Sequence, residues 1–328
     1  MASPGLHVPP PRPAAIRKSG SLLPIAHRLP GPIHYALAGG GAHGCVQWGL
    51  LQALAETDLK PDALIGTSAG ALTGAIVAED PIAGVSRLSY VWSQLDLQVI
   101  IGDGWLSIVR SATRGRRALA DSTAEREALE TILRARKFED LDLPFAAVTT
   151  DLATGLAVAH DSGALIPALL ASSAIPGVLP PVTINGRQYI DGLASANVPA
   201  TLAVTRGAGT VVVLDTGSRA PSEIGTSAAK VVGRVTAILS ATQRRAQLSA
   251  AARHVPVVLL PTPDDLGGSM DFRGTIRAAA ASYELGRAFL QDLSATPAKR
   301  LEPGLYAWPD SMSADPDLAD LLRAVTRA

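Results

Sequence analysis

Apolar and polar positions change period repeatedly along the chain, and each change marks an element. Ile33 to Ala38 is a continuous apolar run, as a strand covered on both faces requires. A glycine-rich loop follows, and then Cys45 to Glu56, whose apolar positions recur at helical spacing. Ala63 to Ile65 reads as a second short strand, and Ser68 to Ala78, rich in Ala, Leu and Ile, as a helix packed on a sheet. Helical patterns recur at Ile82 to Leu95, Thr123 to Arg136, Val231 to Ala252 and Thr275 to Leu293. Phe145 to Thr150, Thr210 to Asp215 and Pro256 to Leu260 are further candidates for buried strands. Such alternation predicts an α/β fold, a three-layer sandwich with a mostly parallel central sheet and helices on both faces. One interruption is antiparallel: Asn185-Gly186 joins Val182-Thr183-Ile184 to Gln188-Tyr189-Ile190, a two-residue hairpin that delivers Asp191-Gly192 to the strand end.

Residues 1–31 carry seven prolines and scattered basic residues without the apolar core of a secretory signal, and are expected to be a disordered leader. A single α/β domain is expected over 32–328, with 200–328 completing the sheet and the helical scaffold. Leu165 to Val182 is the most apolar later stretch, but Pro167, Pro176, Pro180 and Pro181 forbid a continuous membrane-spanning helix there. Within 102–117, Trp105, Leu106, Ile108 and Val109 lie beside Arg110, Arg114, Arg116 and Arg117. The first reading is a loop packed over the core with a solvated basic face; the second is a lid or a peripheral membrane contact, with guanidiniums meeting lipid phosphates.

With 29 Lys plus Arg against 29 Asp plus Glu, the chain has no global field to attract nucleic acid, so no nucleic-acid partner is expected. Cys45 is the single cysteine and cannot form an internal disulfide, so a cytoplasmic location, at most peripheral to a membrane, is the default expectation.

Three motifs carry chemistry. Gly66-Thr67-Ser68-Ala69-Gly70 fits G-x-S-x-G and stands between a strand and a helix, the context in which a sharp turn exposes a serine hydroxyl. Neighbours on either side of such a serine crowd together, which gives both glycines a steric reason. The Ser68 hydroxyl would then sit at a helix N-terminus, with the Ala69 N–H as a natural oxyanion donor. The bland alternative is a helix-capping serine between turn glycines. Gly39-Gly40-Gly41-Ala42-His43-Gly44 follows the first strand and can turn backbone N–H groups toward an anion. Gly39, Gly41 and Gly44 also satisfy a dinucleotide fingerprint, but that reading needs an acidic residue closing the second strand, where this chain has Gly66-Thr67-Ser68. An oxyanion loop beside a nucleophile accounts for both glycine motifs together. The third motif is Asp191-Gly192, which alone is a common turn pair. It is preceded by Ala171-Ser172-Ser173-Ala174-Ile175-Pro176 and Leu179-Pro180-Pro181-Val182.

In that order and over about Ile33 to Pro199, these motifs resemble the patatin-like phospholipase family. The resemblance implies a lipid acyl hydrolase of phospholipase A or esterase type, with a Ser68–Asp191 dyad in place of a triad. It assigns Gly39, Gly40 and Gly41, with Ala69, to the oxyanion hole, and Gly44, Gly66, Gly70 and Gly192 to motif support. It further implies a lipid or phospholipid substrate and neither metal nor organic cofactor. Two positions depart from the family pattern: His43, where Arg or Lys is frequent, and Leu193, where Gly or Ala is frequent. An aspartate base would need burial to raise its affinity for protons at neutral pH. Two alternatives remain open at this point: a Ser-Asp-His hydrolase using His254, which lies just before a strand rather than after one, and a non-catalytic lipid- or nucleotide-binding module. His160 reads as a core or surface histidine.

Overall fold

The computed structural model describes residues 22–94, 122–217, 228–264, 266, 268, 271–297, 300–309 and 320–327. Among these, β1 (Ile33–Leu37), β2 (Ala63–Thr67), β3 (Phe145–Asp151), β4 (Ala157–His160), β5 (Val182–Ile184), β6 (Arg187–Asp191), β7 (Thr210–Leu214), β8 (Pro256–Leu259), β9 (Gly304–Ala307) and β10 (Leu322–Ala324) form one sheet. Its order is β10-β9-β8-β7-β1-β2-β3-β6-β5, with β4 on β3. From β10 to β3 every pairing is parallel, whereas β4, β6 and β5 are antiparallel additions.

Alternate residues of each central strand feed different cores, as a strand's twofold side-chain period demands. Tyr35 and Leu37 of β1, Val212 and Leu214 of β7, and Val258 of β8 join one apolar cluster. Ala36, Val211, Val213, Val257 and Leu259 join the other. The first face is covered by α1 (Cys45–Leu54), α2 (Ala69–Glu79), α3 (Gly84–Gln94), α4 (Thr123–Ile132), α5 (Leu165–Ser172) and α9 (Thr275–Ala295), through residues such as Leu50, Ile76, Leu88, Leu129, Leu169 and Phe289. The second is covered by α6 (Leu193–Ala196), α7 (Ala200–Thr205) and α8 (Ala228–Ala252), through Ala196, Ala203, Leu248 and Ala252. The expected three-layer α/β sandwich with a mostly parallel sheet is the observed architecture. No helix among the described residues is long and apolar enough to cross a membrane.

Two differences from the sequence reading have physical reasons. The leader boundary expected at residue 31 lies too late. Leu23 bridges Thr57, Ile25 is fully buried, and the Arg28 guanidinium donates to the carbonyls of Leu293 and Ser294, both at 2.8 Å. Residues 22–31 thus belong to the packed fold, while 1–21 lie outside the described residues. The helix expected over Thr123 to Arg136 stops at Ile132, because the buried Glu79 carboxylate takes the N–H groups of Arg134 and Ala135 at 2.7 Å each and holds that stretch extended. The basic segment 102–117 lies outside the described residues.

Candidate active site

The site forms at the carboxyl ends of the parallel strands, where the topology brings three separate turns together. At the end of β2, Ser68 adopts φ 54° and ψ −122°, a left-handed conformation that non-glycine residues rarely hold. Close approach makes the flanking glycines necessary. A Cβ on Gly66 would stand 2.3 Å from the Gly70 carbonyl oxygen, and one on Gly70 would stand 2.4 Å from that of Leu37. The turn is held from a distance as well: the Ser68 N–H donates to Ser172 Oγ at 2.9 Å, and that hydroxyl donates to the Val148 carbonyl at 2.6 Å.

Strand register explains how Asp191 reaches this serine. β2 pairs with β3 as far as Thr67 opposite Val148, and then turns away at Ser68. β4 occupies the other edge of β3 over Ala147–Thr150, so β6 enters on the edge that β2 has just left. Its first partner there is Asp191 opposite Thr149, one residue beyond Val148. Asp191 is 1% exposed, and its carboxyl lies near the Ser68 hydroxyl. Burial pushes it up to about 7, against the opposing bonds from the Leu193 N–H and Ser68. The Leu193 N–H donates to Oδ1 at 2.8 Å; this contact uses the backbone, so the unusual side chain at 193 leaves it intact. Gly192 fits beneath, since a Cβ there would meet the Val148 carbonyl oxygen at 2.6 Å.

The glycine loop follows β1 and leans on the end of β7. Thr216 Oγ1 donates to the Gly39 carbonyl at 2.8 Å, and the side chain fills the space where a Gly40 Cβ would stand, 2.5 Å from Oγ1. Asp215 orients Thr216 by accepting its N–H at 2.8 Å, and is itself ion-paired with Arg244 at 2.5 Å. One expectation needs correcting here. The Gly39 N–H is bonded to the Asn197 carbonyl at 3.0 Å, so Gly39 cannot donate to a ligand; it is present for close packing, with Asn197 Oδ1 2.6 Å from its missing Cβ. Gly41, at φ 57°, opens a short 3-10 turn, and Ala69 is the first residue of α2. N–H groups at such first positions have no acceptor within their own helix. Gly44 lets the start of α1 approach α2, a Cβ there standing 2.7 Å from that of Ala69.

An apolar cavity opens beside Ser68. Its wall includes Leu72, Trp92, Leu129, Ile132, Leu169 and Ile175, with Gly41 and Ala69 at the serine end. Glu125, which sequence reasoning did not single out, also lines it. Burial pushes the Glu125 carboxyl up to about 7, with a further upward contribution from the charge of Asp191, while a bond from the Ser173 hydroxyl opposes the rise. Ser172 and Thr216 were missed as active-site supports too.

The histidines lie elsewhere. His254 follows α8 and precedes β8, whereas Ser68 follows β2; the two strands run parallel, so these residues stand at opposite ends of the sheet. The arrangement removes His254 as a partner for Ser68. The His160 ring meets Thr149 Oγ1 at 2.9 Å and packs edge-on against Tyr189, with centroids 4.8 Å apart. His43 is buried in the 3-10 turn. No group of three or more His, Cys, Asp or Glu side chains suited to a metal ion occurs among the described residues.

Comparison with known proteins places this geometry in a family. The Patatin-like phospholipase family model matches residues 35–204, more than half of the 328-residue chain. The chain is 33% identical over 195 residues to Patatin-like phospholipase domain-containing protein 7 of Rattus norvegicus, a match covering 58% of this chain and 14% of that protein. It is 31% identical over 207 residues to an uncharacterized NTE family protein of Mycobacterium bovis, covering 60% of this chain and 52% of that one. The chain thus spans about half the length of the mycobacterial relative and a small part of the mammalian one. Among solved structures, VipD from Legionella pneumophila is similar with a TM-score of 0.44 and 12% identity, over 80% of this chain and 67% of that chain.

Proposed function

The chain belongs to the patatin-like phospholipase family, and from that premise we propose that it hydrolyses carboxylic esters of lipids through a Ser68–Asp191 dyad. The observation that carries this reading is the strand register, which brings Ser68, presented on a strained turn, and a buried Asp191 carboxyl pushed up to about 7 to the same edge of β3. A carboxylate with that proton affinity is matched to general-base work near neutral pH.

In the proposed cycle, Ser68 Oγ attacks the ester carbonyl as Asp191 takes its proton. The developing oxyanion binds the N–H groups of Gly40, Gly41 and Ala69, and the positive end of the α2 dipole adds to them. Collapse of the tetrahedral species expels the alcohol, which takes the proton from Asp191, and leaves an acyl-serine. Water then attacks, Asp191 accepts its proton, and the fatty acid leaves as Ser68 recovers the proton. The apolar cavity beside Ser68 would hold the acyl chain. No nucleic acid or cofactor enters the scheme.

Hydrolysis of a chain-length series of p-nitrophenyl esters tests the proposal. Ser68→Ala and Asp191→Asn should each lose activity while remaining folded, and His254→Ala should keep it. Full activity in Ser68→Ala would overturn the dyad.

A further inference from the structure

The cavity beside Ser68 is not uniformly apolar. Glu125 Oε2 and Trp92 Nε1 are both buried and, among the described residues, neither has a hydrogen-bond partner. Buried polar groups are almost always satisfied, so two orphans in the wall of one cavity point to a ligand that completes them.

The placement of Glu125 is specific. On α4, residues 125, 128, 129 and 132 line the cavity, the spacing of one helical face, and the other three are Ala128, Leu129 and Ile132. A carboxyl therefore stands on an otherwise apolar stripe. Its Oε1 receives the Ser173 hydroxyl, which also reaches the carbonyls of Leu169 at 3.0 Å and Leu170 at 3.3 Å. Ser173 adjoins Ser172, the hydroxyl that clamps Ser68, and the Glu125 carboxyl senses the charge of Asp191. Glu125 thus stands near the reacting bond rather than at the far end of an acyl chain.

The chemistry of the pair narrows the ligand. An indole N–H only donates, and a carboxyl pushed up to about 7 donates or accepts according to its protonation. A hydroxyl serves either group, accepting from Trp92 or exchanging a hydrogen bond with Glu125 in either of its protonation states. A plain methylene satisfies neither, and an anionic group meets the charge of Glu125 and Asp191. We propose that Glu125 and Trp92 form a hydroxyl-recognition subsite, selecting esters that carry a hydroxyl within a few bonds of the scissile carbonyl over matched esters that lack one. This rests on the ester-hydrolase reading for its biological use, but its binding chemistry can be measured separately. The hydroxyl can come from the acyl chain or from the alcohol.

The test uses full-length Ser68→Ala protein and calorimetric affinities for two matched pairs: methyl 3-hydroxydecanoate against methyl decanoate, and monodecanoylglycerol against propyl decanoate. The hydroxylated member of one pair should bind about tenfold tighter or more, because the plain ester leaves buried groups unpaired. The pair that discriminates tells which side of the ester carries the hydroxyl. Adding Glu125→Leu should bring the ratio close to one; Ser173 keeps its two carbonyl acceptors in that variant, and Trp92→Phe, which keeps the ring and removes the donor, should lower the ratio independently. Equal affinities in both pairs, or a preference that survives Glu125→Leu, would overturn the subsite. Hydrolysis by the Ser68 protein is followed in parallel, so a failure of the ester reaction is seen there and a failure of the subsite in the binding ratios.

Discussion

The Ser172 hydroxyl accepts the Ser68 N–H at 2.9 Å and passes its own proton to Val148, so the strained turn is held by a residue 104 positions away. Replacing Ser172 by alanine leaves that N–H unpaired and frees the turn to relax. Ser172→Ala should lower kcat by about tenfold or more with little change in KM, since small displacements of a reacting group are costly. It should also lower stability by about 1–3 kcal/mol, the cost of an orphaned buried donor, measured by urea unfolding. Wild-type kcat in a folded Ser172→Ala protein would show that the clamp is dispensable.

Asp191 makes activity and stability depend on pH in opposite directions. Burial raises its folded-state value to about 7 from the ordinary 3.8. The proposed base is the carboxylate, so kcat/KM should rise with pH along a limb centred near 7, with Glu125 contributing to the apparent value because the two carboxyls interact. Stability runs the other way. Between the ordinary carboxyl value and about 7 the folded state holds the proton that the unfolded state has released, so the contribution of this group, complete at low pH, is lost as pH rises through 7. Asp191→Asn removes that dependence. It should gain stability relative to wild type on going from pH 5 to pH 8, while remaining inactive at both. A wild-type limb centred near pH 4 would contradict a buried base.

How much of this was legible in the sequence follows the range of each contact. Ser68 could be read because the glycines that make its turn feasible lie within two residues of it. Asp191 needed both the Asn185-Gly186 hairpin and the family resemblance, since its meeting with Ser68 depends on two strands sharing one edge of β3. Thr216 and Gly39 are 177 residues apart, and Glu125 and Ser173 are 48 apart, so no local pattern announces either pair. Strand β4 was missed because Ala157–His160 is short and half-buried along its whole length, without the alternation that marks a one-faced strand. Leu22 to Leu29 was hidden by the prolines around it, although Ile25 and Leu29 enter the core.

Arg28 offers a stability effect without a catalytic one. Its guanidinium binds the carbonyls at the end of α9, and its own carbonyl accepts the Leu301 N–H at 2.9 Å, far from the carboxyl ends of β1 and β2. Arg28→Ala strands the buried Leu293 carbonyl and the part-buried Ser294 carbonyl and should cost about 2–3 kcal/mol, in the range of hydrogen bonds to a charged group. Urea unfolding should show the loss while kcat and KM at 25 °C stay at wild-type values. A large fall in kcat in the folded protein would mean that the segment 22–31 reaches the site by a route the contacts do not reveal.

Gly40 is required for space, not for backbone freedom. Its φ of 175° is open to any residue, but a Cβ would stand 2.5 Å from Thr216 Oγ1 and 2.6 Å from Thr216 Cβ. Gly40→Ala should therefore push the loop off the end of β7, displace the proposed oxyanion donors and lower kcat by about a hundredfold, as loss of one such donor does elsewhere. If the clash is the cause, emptying the other side of it should help. Thr216→Gly on the Gly40→Ala background should restore part of the lost kcat, even though Thr216→Gly alone, which gives up the bond to the Gly39 carbonyl, lowers it. A double-mutant cycle measures this directly: a favourable coupling between the two changes is expected, and strictly additive losses would show that Thr216 does not set the position of the loop.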